Sequence, residues 1–244
     1  MISTPDVSRS TDVVDSGSPA VKPGSDVREA FRAAYENRYT WDSGFGGYQG
    51  RCLREADGEI VEGLFSVAAD LKARVEGIED AEAEKDLAAQ LWEVAIHRVR
   101  RPFEQVHGEN TFTAGDTDAV GLEVIVGGKG AGDRYRIKDD VVTMVHRHIH
   151  GTVVTIFTLS VTDTGAGYLS RTYTSRYADP ASGEPRGGTS RFTDTFVPLA
   201  GSGTWVLSER VVESEPATPG GSPSRRVFRF EDLQPLGQGS GVTL

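Results

Sequence analysis

The chain has one cysteine, two methionines and three tryptophans among its 244 residues. With Cys52 alone, an intramolecular disulfide and a cysteine-based zinc cluster are both excluded. The same scarcity fits a reducing compartment, and a cytoplasmic location is the expectation. Cys52 itself reads as a small packed residue on a strand. A nucleophilic thiolate would need a neighbouring base that the sequence does not place. Long apolar runs are also missing: no stretch approaches the roughly 20 residues that span a bilayer. The opening MISTPDVSRSTDVVDSGS has neither the basic start nor the apolar run of a secretory signal. Positive charge is short as well, with 26 Lys and Arg against 36 Asp and Glu, a net −10. Such a field repels phosphates, so nucleic acid is not an expected partner. There is no nucleophile elbow, and GGKGAGD (residues 127–133) has the glycines but not the spacing of a phosphate loop.

What is present divides the chain in three. Residues 1–24, rich in Ser, Asp, Pro and Gly without hydrophobic periodicity, read as a disordered tail. Residues 25–236 read as one β-rich domain, and 237–244 as a flexible C-terminal tail. The domain opens with a helix, N-capped at Ser25, in which Val27, Phe31, Ala34 and Tyr35 form one apolar stripe. RCLRE, EIVEGLFSVAA and LKARVEG then read as strands. Ile78 to about Arg101 is the longest helical stretch, acidic at its start and basic at its end, as the helix dipole favours. Pro102 ends it, kinks it, or opens a short further turn over Phe103–His107.

Beyond Asn110 the pattern changes to strands near 118–126, 133–138, 141–149, 152–161, 167–178, 188–198, 204–214 and 225–233, separated by Gly, Asp, Pro and Ser clusters. This spacing predicts an antiparallel meander rather than βαβ units. The expected fold is α+β: a strongly curved antiparallel sheet or incomplete β-barrel, with one long helix on its concave face and a short N-terminal helix. In SPSRRVFRF alternation places the charges on the solvent side. The aromatic cluster Tyr35, Tyr39, Trp41, Phe45 and Tyr48 reads first as core.

Two stretches carry candidate chemistry. In MVHRHIH, a β-strand would put Val142, Met144, His146, His148 and His150 on one face. Same-face neighbours lie about 6.5–7 Å apart, so adjacent histidines can share a metal, whereas His146 and His150, about 13 Å apart, cannot. The metal site therefore draws two ligands from His146, His148 and His150 and a third from elsewhere, and imidazole suits Zn, Fe, Cu or Ni. The alternative is a solvent-facing strand beside a hairpin turn. The second stretch holds His97, Arg101, Glu104 and His107, with Arg98 beside them. If helix runs through Pro102, His97, Arg101 and Glu104 share a face, with His107 one turn after Glu104. They would be the catalytic set, a histidine moving protons and an arginine holding an anion. The competing reading is an ion-paired helix end.

FRAAYENRYTWD (Phe31–Asp42), HRVRRPFEQVHGENTF (His97–Phe112) and the DTGAGYLSR segment resemble an uncharacterised family, a domain of unknown function best represented in cyanobacteria. The resemblance runs from about Val27 to Leu236 and implies a shared fold without a reaction. His97 and His107 lie within it; HRHIH is not associated with the family pattern. The working expectation is a small-molecule enzyme with a metal-assisted or histidine-based site in the cavity of the sheet, running hydrolysis, hydration or dehydration, or cyclisation. Two other classes stand beside it: a non-catalytic carrier of an apolar small molecule or metal, and an accessory protein acting through a protein partner.

Overall fold

In the computed structural model, which describes residues 26–216, 218 and 220–237, twelve strands form a single sheet. The expected tail over 1–24, and all but Gly237 of the one over 237–244, lie outside those residues. Helix α1 (Val27–Glu36) is capped by Asp26, whose carboxylate accepts from the Arg28 N–H. Strands β1 (Gly47–Ala56), β2 (Glu59–Ala68) and β3 (Ala73–Glu76) follow, then α2 (Ala81–His97) and the short α3 (Phe103–His107). The remaining nine strands are β4 (Asn110–Thr117), β5 (Leu122–Gly128), β6 (Arg134–Lys138), β7 (Val141–Ile149), β8 (Thr152–Asp163), β9 (Tyr168–Ala178), β10 (Ser190–Pro198), β11 (Trp205–Ser214) and β12 (Ser224–Pro235).

All neighbours pair antiparallel, in the order β3-β2-β1-β12-β11-β10-β9-β8-β7-β6-β5-β4. The first hairpin thus joins the far side of the last strand. The meander expected from Gly and Asp spacing is present, and β4 is an added strand that its Thr-rich sequence did not announce.

The expected long helix on a concave face is not what forms. The sheet is open, with β3 and β4 as its two edges, and among the described residues only three short helices accompany it. Two physical reasons account for the difference. Asp80 caps α2 through its carboxylate, and the helix stops at His97 because Pro102 and the extended residues before it cannot continue the ladder. Strands β1–β3 then supply α2 with a floor of its own at one end of the sheet, while α1 packs at the other end on β4, β6 and β7.

Cross-strand partners share a face, and the register therefore fixes which side each helix covers. Tyr135, against the ring of Phe31 in α1, pairs with Val145, and Val145 with Ile156. Ile156 pairs with Ser175, whose same-face neighbour Tyr173 pairs with Phe192. Asp194 pairs with Arg210, Arg210 with Phe228, and Phe228 with Arg54, which bonds Asp86 of α2. All three helices lie over this one face.

The core follows the same division. One cluster gathers Tyr48, Cys52, Phe65, Leu87, Leu91, Phe228 and Phe230 beneath α2. The other holds Phe31, Ala34, Phe103, Val124 and Ile137 beneath α1 and α3. Cys52 is buried in the first, and burial pushes its thiol up to about 11, so it packs as a small apolar residue. Tyr39, Trp41 and Tyr48 are core too, with Trp41 stacked on Phe45 at 3.9 Å.

Candidate functional site

The break after His97 separates the expected catalytic set. Glu104, on α3, bonds Arg28 and Arg32 of α1 and so fastens one helix to the other. Arg101, exposed in the extended link, does not share a helical face with it. His107 is buried among aromatic rings: Phe31, Tyr35 and Phe103 have centroids 5.1 Å away. Asn110 Oδ1 accepts from the Gly130 N–H, which turns its amide nitrogen toward His107 Nδ1 at 3.1 Å. That nitrogen must therefore accept, leaving the proton on Nε2. Burial first, then Arg147 and Arg38, pushes the His107 pKa down to about 4.

His97 faces a different neighbourhood. Its surface is open, yet the protein packed about it and then Arg98, Arg38, Arg210 and Arg101 push its pKa down to about 4. Behind it lies a polar network that no motif announced. Arg210, 2 % exposed, donates Nε to Asp194 Oδ1 at 2.8 Å and Nη2 to Asp194 Oδ2 at 2.7 Å. It also donates to Gln90 of α2 at 3.1 Å and to the Tyr173 hydroxyl at 2.9 Å. Burial opposes both charges and pushes the Asp194 carboxyl up, while Asp194 raises the Arg210 guanidinium. The two short charge-assisted bonds between them favour the ionic pair. Arg98 donates to the Tyr39 carbonyl, and burial pulls its pKa down to about 10.

The histidine strand sits on the opposite face. His146 pairs with Thr155, and Thr155 with Arg176, the residues alternating with those under the helices. The His146 and His148 rings stand 5.9 Å apart at 85°. His146 Nδ1 lies 2.9 Å from the Thr155 hydroxyl, and burial, then Arg134 and His148, lowers its pKa. Asp133 accepts from the His148 N–H and from Arg147, and its Oδ1 is 3.7 Å from His148 Nδ1. A register shift between β6 and β7 turns Val142 to the helix side, where it joins the α1 core. His150 is not on the strand. It occupies the β7–β8 turn with φ +47°, followed by Gly151 at +74°. The sheet therefore separates His97 and His107 from His146 and His148. Among the described residues no three His, Cys, Asp or Glu side chains are grouped as a metal site would need.

A groove opens between the edge strand β3 and α2. It is shallow and open to solvent, offers about 420 Å³, and is lined by Lys72, Ala73, Arg74, Lys85, Ala88, Ala89 and Trp92. Residues 85, 88, 89 and 92 form one helical stripe, and Trp92 leaves half its surface in solvent, 53 %.

A family model described as a protein of unknown function, DUF3386, matches residues 22–236. The chain belongs to the DUF3386 family. No curated protein matches it. Among solved structures, the DUF3386 chain is similar to a DUF1329 family protein from Desulfovibrio piger at 9 % identity, with 88 % of this chain and 95 % of that one covered and a TM-score of 0.26. No helix among the described residues of the DUF3386 chain is long and apolar enough to cross a membrane.

Sequence reasoning missed Arg210, Asp194 and Gln90 in this DUF3386 chain, although a signal was available. Phe192, Asp194 and Phe196 alternate along β10, so the aspartate stands at a core position. It likewise sent all charges of RRVFRF to solvent, whereas Arg226 turns inward and donates both oxygens of Asp86 a hydrogen bond at 2.8–2.9 Å. The groove was invisible because it joins residues of two elements.

Proposed function

We propose that the chain is a non-catalytic carrier of a small molecule with an apolar body, seated between β3 and α2. The observation that supports this reading is the groove itself. Its floor of Ala73, Ala88, Ala89 and the exposed Trp92 indole stays apolar on the protein surface, and its volume falls within the roughly 300–1,000 Å³ of small-molecule sites. The stripe from Lys85 to Trp92 gives a floor about 10 Å long at 1.5 Å per helical residue. Catalysis by the expected combined site has less support, since its histidines lie on two faces of the sheet.

Titration with phenylnaphthylamine, an uncharged apolar dye, tests the carrier. Dye emission should rise on binding, fall severalfold in Trp92→Ser, and persist in His146→Ala/His148→Ala. An unchanged response in Trp92→Ser would sink the groove as the carrier site.

The His146/His148 pair favours a second reading, in which it holds a divalent transition metal (Zn, Fe, Cu or Ni) as a two-ligand arm. The closeness of the two rings supports it. Calorimetric zinc titration should show one site that disappears in His148→Ala; binding retained by that variant would remove the reading.

A further inference from the structure

The groove floor is apolar, but its rim has one sign of charge. Arg74 follows Ala73 on β3, Lys72 immediately precedes the strand, and Lys85 starts the facing stripe of α2. Three cations at one small groove stand out in a chain of net charge −10. Two of the three are not consumed nearby. Lys72 reaches only exposed Asp70, at 2.7 Å, and neither Arg74 nor Lys85 has an ion-pair partner among the described residues. Asp86, the carboxylate next to Lys85 in sequence, is turned the other way and held by Arg54 and Arg226.

We propose that the groove selects an anionic amphiphile: a carboxylate head and a single apolar tail that together span about 10 Å. The proposal rests on the carrier reading and adds the chemistry of the head. The tail lies along Ala88, Ala89 and Trp92, and the carboxylate meets Arg74 and Lys85, with Lys72 beside them. The guanidinium of Arg74 offers the forked donors that match a carboxylate. Because the rim is solvent-exposed, the attraction is screened by salt. A rim of cations also keeps a free strand edge from pairing with other chains. That role needs the charges on β3 and gives no reason for Lys85, which sits across the groove on a helix.

Competition for bound phenylnaphthylamine separates the head from the tail. Decanoate, decanol and decyltrimethylammonium share a tail and differ in charge; acetate carries the head alone. Decanoate should displace the dye at about tenfold lower concentration than decanol, and decyltrimethylammonium should be the weakest. Arg74→Glu/Lys85→Glu should erase the decanoate advantage while dye and decanol affinities hold, which also shows that the variant is folded. Raising the salt from low to high should weaken decanoate and leave decanol unchanged. If decanoate and decanol compete equally, or the double variant keeps the preference, the anionic head is overturned and the carrier stands. If the dye never binds, both fall together.

Discussion

Arg210 and Asp194 meet as a two-pronged ion pair inside the protein, Nε to Oδ1 at 2.8 Å and Nη2 to Oδ2 at 2.7 Å, each residue 2 % exposed. Removing one partner strands the other charge where water cannot reach it. Asp194→Ala should therefore cost about 3–5 kcal/mol, and Asp194→Leu/Arg210→Met far less, because no charge is left unpaired. Urea unfolding of the three proteins checks this. Equal losses in the single and double variants would show that packing, not charge, sets the effect.

The caged His107 predicts how stability varies with acidity. Its folded pKa, about 4, lies below the ordinary value of about 6.5. Between these limits the unfolded chain binds the extra proton, so stability is full above about pH 6.5 and falls as pH drops toward 4, by about 1.4 kcal/mol per pH unit at most for one proton. His107→Phe suits the aromatic cage and should flatten much of this slope, with His97 and His146 contributing the remainder. A pH series of thermal melts decides it: an unchanged slope would clear His107.

Gly167 holds the end of α1 against the sheet. Its φ is +125°, and an added Cβ would stand 2.5 Å from the Asn37 carbonyl oxygen, where the backbone donates from Tyr168 to Asn37 and from Tyr39 to Tyr168. Gly167→Ala should cost about 1–3 kcal/mol through strain and displaced hydrogen bonds. Chemical denaturation measures the loss, and hydrogen exchange at Tyr39 and Tyr168 should rise with it. Protection unchanged at both amides would place the strain elsewhere.

His150 takes part in a turn, not a ligand row. Its φ of +47° before Gly151 suits the two-residue hairpin turns that favour Asn-Gly. His150→Asn should keep or slightly raise the melting temperature and leave zinc affinity unchanged. A loss of zinc affinity in this variant would bring His150 back into the metal arm.

Local patterns made much of this fold legible. Gly, Asp and Pro clusters marked the turns between β5 and β12 because turn chemistry is local, and the apolar stripe of Val27, Phe31 and Ala34 marked α1. The face of each strand was harder. MVHRHIH alternates cleanly in sequence, but the bulge that rotates Val142 comes from the register between β6 and β7. Strand order was harder still, since pairing of β1 with β12 leaves no trace in either segment. Whether His107 could meet His148 depended on which face α1 and α3 cover, and the candidate site dissolved into two faces for this reason. The cationic groove needed α2 and β3 placed side by side.

The pairing of the first strand with the last also sets a timetable. Glu55 and Arg229, neighbours across β1 and β12, are 174 positions apart. At about 5–20 residues per second, a ribosome needs roughly 9–35 s to bridge that interval. Throughout it, β1 waits with one side unpaired, and the core beneath α2 lacks Phe228 and Phe230 of β12. Cooperative closure belongs to the final strand, so β12 is the segment whose delay would expose the nascent chain longest to wrong partners.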